Sequence, residues 1–131
     1  MAAAVNFTVI TTVMAANTSQ FTATYTVSGE NGPVIETSIT AAATVTITGV
    51  AFPAAKCTMI AMKCDSSDCV VKFTNASGDT TINLTAGVSY LWTAASGAAT
   101  PLLHDCTTMT VNNNGAQAVT TDFHARICLT S

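Results

Sequence analysis

Phe21-Thr22-Ala23-Thr24-Tyr25-Thr26-Val27-Ser28 decides the fold. Apolar and hydroxyl-bearing residues alternate at every position, and a period of two is the mark of a strand with one buried and one wetted face. Threonine suits the wet side, because its branched Cβ fits the pleat while its hydroxyl faces water. The same pattern recurs along the chain. Val45 and Ile47 alternate with Thr44, Thr46 and Thr48; Ile82 and Leu84 alternate with Thr81, Asn83 and Thr85. Near the C-terminus Phe123, Ala125, Ile127 and Leu129 oppose Asp122, His124, Arg126 and Cys128. No stretch of useful length carries the period of an amphipathic helix. Eight or nine short strands predict an all-β chain, an antiparallel β-sandwich or jelly roll of about eight strands.

Turn residues divide the strands. Gly29-Glu30-Asn31-Gly32-Pro33 is expected to close the second strand, and Ala76-Ser77-Gly78-Asp79 the strand Cys69 to Asn75. Asn114-Gly115 has the composition of a tight hairpin turn, which would pair Val111 with Ala118 and Met109 with Thr120. Ala94 to Leu103, with Gly97 and Pro101, reads as a longer loop. With 131 residues the expectation is one domain, 1–131, with an N-terminal strand or arm over 1–19 that pairs with a neighbouring subunit.

Composition narrows the function. Only 8% of the residues are charged and 49% are hydrophobic, against about 25% charged in ordinary soluble domains. Small, weakly hydrated Thr, Ser, Asn and Ala must therefore cover the exterior, which suits a protein held against neighbours. The net charge is −3, and Lys56, Lys63, Lys72 and Arg126 are its four basic residues. Nucleic acid and anionic membranes demand clustered cations, so neither is an expected partner. Met1 to Ser19 lacks a basic start and an unbroken apolar stretch, so no signal peptide is expected. No run is long enough for a membrane-spanning helix.

Five cysteines, Cys57, Cys64, Cys69, Cys106 and Cys128, cannot all pair within one chain. The odd count favours free thiols. Cys64 and Cys69 flank Asp65-Ser66-Ser67-Asp68; if that loop is a four-residue hairpin, they face each other closely enough for a cross-strand disulfide. The remaining candidates for chemistry are sparse. His104-Asp105-Cys106 reads as a turn with a polar flank, and His124 and Cys128 stand roughly 13 Å apart along one strand. Asp65 and Asp68 lack the ligand count of a calcium loop. No nucleophile elbow or cysteine-protease signature is present, so neither an enzyme nor a metal or cofactor is expected. The sequons at Asn6, Asn17, Asn75 and Asn83 are what a threonine-rich chain produces by chance. Tyr90 and Trp92 share one strand face with Leu91 on the other; they read as packing anchors in preference to a sugar-stacking platform.

From Ala51 to Leu129 the chain resembles the head-decoration (cement) proteins of tailed bacteriophages. The resemblance rests on Met59-Ile60-Ala61-Met62 followed by Val70-Val71-Lys72-Phe73 as an apolar hairpin, then the Asn75-Ala76-Ser77-Gly78 turn. Ile82-Asn83-Leu84-Thr85-Ala86-Gly87, Leu91-Trp92 and a final hairpin from Val111 to Val119 complete it. The resemblance implies a β-sandwich protomer, assembled as a homotrimer, on the outer capsid surface of a virion made in a host cytoplasm. Its partner would be the major capsid protein, held without catalysis, and Val5, Phe7, Tyr90 and Trp92 are the expected contact residues. A tail-tube or fibre subunit, or a carbohydrate-binding module using Tyr90 and Trp92, are the rival readings.

Overall fold

The computed structural model describes residues 4–15, 18–47 and 50–130, with residues 4–15 and 18–33 described by their backbone alone. The described residues form nine strands: β1 (Ala4–Ala15), β2 (Thr18–Ile39), β3 (Thr44–Ile47), β4 (Cys57–Cys64), β5 (Cys69–Asn75), β6 (Gly78–Leu84), β7 (Tyr90–Thr93), β8 (Thr108–Asn112) and β9 (Thr121–Leu129). Two short 3-10 turns, Ala54–Lys56 and Ala94–Ser96, are the only helical segments among them. One sheet has the order β1-β2-β9-β4-β7 and the other β3-β8-β5-β6, with every pairing antiparallel. The chain is thus an all-β sandwich, as its alternation predicts.

Between the layers lies one core. Phe73, Phe123, Ile60, Ile127, Val71, Val111, Met109 and Ile39 are fully buried there. Phe52 meets Phe73 edge to face, with ring centroids 6.3 Å apart, the arrangement that ring quadrupoles favour. Phe123, Ala125 and Ile127 face inward from β9, as Ile82 and Leu84 do from β6. At the end of β9 the alternation breaks. Cys128 is buried and Leu129 is only half-buried, because β4 carries a bulge between Cys57 and Met59 that shifts the register there.

The connections differ from several sequence expectations. β4 and β5 do not form a hairpin: Asp65 to Asp68 crosses from one sheet to the other. Its turn is held from elsewhere, since Thr121 Oγ1 accepts from the backbone N–H of Ser66 (2.9 Å) and Ser67 (3.2 Å), and Asp122 O accepts from Asp65 N–H (3.0 Å). Likewise β8 pairs with β3 and β5 while β9 belongs to the opposite sheet, so Asn114-Gly115 is not a hairpin turn. Gly115 serves another need. A Cβ there would stand 2.7 Å from the backbone nitrogen of Asp68 and closer still to Ser67 and Gln117. Gly29 to Pro33 does not end β2, which runs on to Ile39 and absorbs Gly32-Pro33 in an irregularity between Asn31 and Val34, a position where a missing N–H is tolerated. The β5–β6 hairpin closes as expected, with Asn75 opposite Gly78.

Asn113 fastens the two layers at one end. It is 1% exposed, and its Nδ2 donates to Ile39 O (2.9 Å) and to Val119 O (2.8 Å). Its backbone exchanges bonds with Ala42 and Ala43. Removing the amide strands the buried Ile39 carbonyl and frees the part-buried Val119 carbonyl, and a buried group left without a partner costs about 1–3 kcal/mol. Asn113→Ala is therefore expected to lower unfolding free energy by about 1–3 kcal/mol or more, read from the urea midpoint. Phe123→Ala, which empties the centre of the core, should cost about 3–5 kcal/mol in the same measurement.

Candidate interaction surface

Three places could carry function: the thiols, the outward face of the larger sheet, and the ribbon made by β1 with the first half of β2. All five cysteines are buried thiols. Cys64 and Cys69 lie on opposite sheets, and their thiols interact as thiols without a disulfide. Burial raises the Cys64 thiol above its ordinary range. Burial pushes Cys57 up to about 12, and burial followed by the neighbouring Cys64 does the same for Cys69, to about 12. Burial lifts Cys106 to about 11, against a bond from its Sγ to Thr108 O. A thiol so far from ionisation is a poor nucleophile and a poor metal ligand at neutral pH.

His104 packs over Gly78, where its Nε2 would stand 3.1 Å from an added Cβ. The carboxylate of Asp105 accepts from Ala54 N–H (2.8 Å), and Cys106 Sγ donates to Val50 O (3.2 Å). Asp105 and Cys106 therefore bind the 50–57 segment to the body of the fold, while His104 lies against the β5–β6 turn. Asp68 accepts from Ala86 N–H (2.8 Å), which separates it in role from Asp65. Among the described residues no group of three His, Cys, Asp or Glu side chains could hold a metal ion.

Trp92 is 8% exposed, belongs to the core, and donates from Nε1 to Ala98 O (3.1 Å). Tyr90 points the same way and packs half-buried against that core. The exposed aromatic platform needed for stacking on sugar is therefore not formed, and Trp92 is an anchor within the core. Leu91 is the outward member of this strand, 43% exposed. Val5 and Phe7 stand on β1 opposite Gly29 and Val27; their side chains lie outside the described residues.

The outward face of β2, β9, β4 and β7 is organised in rows by the strand register. Val34, Arg126, Ala61 and Leu91 form one row, and Glu36, His124 and Lys63 the next. Val34 is 50% exposed, and with Leu91 it lines a shallow groove of about 320 Å³ rimmed by Glu36, Lys63 and Arg126. The histidine is flanked by two acids: Nε2 lies 3.0 Å from Asp65 Oδ2, and Nδ1 3.8 Å from Glu36 Oε1. Lys63 Nζ stands 3.6 Å from the other Asp65 oxygen. An aliphatic floor beside paired opposite charges has the composition of a protein-contact surface. The sequence signal for this face was the outward register of Asp122, His124 and Arg126 on β9, together with Leu91 opposite Trp92. Which strands would lie beside them is a property of the sheet order, and no single segment encodes it.

Hydrogen bonding to Asp65 raises the His124 pKa above 6.5, helped by the charges of Asp65, Glu36 and Asp122. The same bond, with the charges of His124 and Lys63, lowers the Asp65 pKa below 3.8. The histidine's contribution to stability is complete below about pH 6.5 and is lost as pH rises through its folded value. The aspartate's contribution is complete above about pH 3.8 and is lost as pH falls through its folded value. The pair is thus strongest between those limits, and both groups are exposed enough for salt to weaken it. NMR titration should place His124 above 6.5, and Asp65→Asn should bring it back toward that value. All five thiols should resist a disulfide reagent in the folded protein and react together on unfolding.

No protein-family model, curated protein or solved structure matches this chain.

Proposed function

We propose that this protein is a virion structural subunit: a decoration, or cement, protein that binds the outer surface of a tailed-bacteriophage head and stabilises contacts between major capsid subunits. The observation that carries the reading is the ribbon. β1 pairs with Thr18 to Glu30 of β2, while β9 takes over from Glu30 to Ile39. Apart from β2, no described element makes more than marginal contact with β1. Twelve residues at about 3.4 Å each give a reach of about 40 Å. A lone two-stranded ribbon is barely stable in water, so one of this length is best understood as bound to a neighbour. The sparse charge supports the same view, since such an exterior gains by being covered. Binding energy that exists only when adjacent subunits are correctly spaced opposes their separation, and no reaction is needed for that.

The sugar-binding alternative loses its support with the burial of Trp92. A tail location uses the same physical argument and is separated by experiment. An antibody against the purified chain should label the heads of intact particles in the lysate that contains it. Particles produced without the chain should release their genome at a lower temperature, and added protein should restore them. Label confined to tails, or absent from every particle, would overturn the proposal.

A further inference from the structure

β1 is an edge strand without the protections edges usually carry. From Ala4 to Ala15 it contains no charged residue and no proline, and its only irregularity is a register shift at its far end, between Val13 and Met14. Natural sheets guard long edges with lysine, proline, bulges or a covering segment, because an open row of N–H and C=O groups recruits another strand. Among the described residues, one side of β1 is paired with β2 and the other has no strand beside it. An unguarded edge of this length marks a site of strand addition.

The sequence of β1 also selects the strand that would fit. Val5, Phe7, Val9, Thr11 and Val13 occupy one set of alternate positions, and Asn6, Thr8, Ile10 and Thr12 the other. This arrangement is nearly symmetric about Val9. If a second β1 ran antiparallel with the axis at Val9, Val5 would stand opposite Val13, Val9 opposite Val9, Phe7 opposite Thr11 and Asn6 opposite Thr12. Val5 would meet Val13, Ala4 would meet Met14 and Val9 would meet itself, while Phe7 and Ile10 would meet threonines, and no like charges would be brought together. The same phase holds across the ribbon: Phe7, Val9 and Val13 lie at register positions opposite Val27, Tyr25 and Phe21. A charged partner surface would find nothing to pair with here, because residues 4–29 contain no ionisable acid or base apart from Tyr25.

We infer that β1 is the contact between two copies of this chain, joined antiparallel about a two-fold axis at Val9 into one four-stranded sheet made from two ribbons. The contact is isologous, so the same residues serve both partners and the assembly closes at two. It rests on the ribbon that supports the decoration reading, fills that ribbon's edge with a second copy while leaving its faces to the capsid, and takes the place of the three-fold assembly implied by resemblance. A dimer absent from virion heads would remove the decoration reading alone; a monomer that labels heads would remove this contact alone.

The test uses the full chain. Native mass measurement should give twice the 13.4 kDa of one chain. Val9→Lys and Val9→Glu each place like charges across the axis, and each should weaken association by about tenfold or more. An equimolar mixture of the two should recover the dimer, as a heterodimer. Val9→Cys keeps the strand uncharged and should form a disulfide dimer under mild oxidation, with the five native thiols remaining buried. Trp92 emission reports the sandwich, which lies outside the ribbon, and should stay native throughout. A wild-type monomer or trimer overturns the inference. So do single variants that associate unchanged, a mixture that fails to recover, or Val9→Cys that stays uncrosslinked.

Discussion

Strand β2 serves two structures in turn. From Thr18 it runs beside β1, at Glu30 it changes partner, and to Ile39 it is the edge of the sandwich against β9. Because one continuous strand does both, the ribbon inherits its direction from a fixed and well-packed body. The handover falls where Gly32 and Pro33 interrupt the ladder. There the missing N–H of proline costs little and the local irregularity lets the strand bend. β2 also approaches β4 and the Ala94–Ser96 turn. Met59 and Cys128 are buried beside this region although neither joins the main core.

A chain with so few large apolar residues and so few charges must gain specificity by other means. Here buried polar groups fix how the layers join. Thr121 caps the crossover after β4, Asn113 ties Ile39 to Val119, and Gly115 admits the close passage of Asp68 and Ser67. Each sits at a point where the chain passes between sheets. A hydrophobic interior is indifferent to small slips, whereas a buried amide with two defined acceptors is not.

Much of this architecture can be read from alternation. Which side of β6, β7 and most of β9 faces inward follows from period two, and so do the class of fold and the hairpin at Asn75 to Gly78. Which strands become neighbours does not follow. Period two assigns a face and is silent about a sheet, so Met59 to Met62 and Val70 to Phe73 look like two arms of a hairpin while belonging to opposite layers. Turn composition misleads in the same way: Asn-Gly is chosen at 114–115 for closeness of backbones, not for reversal of a strand. The charged row of Glu36, His124 and Lys63 draws on three separated strands, so it exists only once sheet order is known.

The five sulfur atoms have one more implication. Every thiol is sealed from solvent, and none is committed to a bridge. An oxidant dissolved in the surrounding water therefore has no direct access to sulfur while the sandwich stays closed. Crosslinking between copies through these sulfurs would require the sandwich to open first.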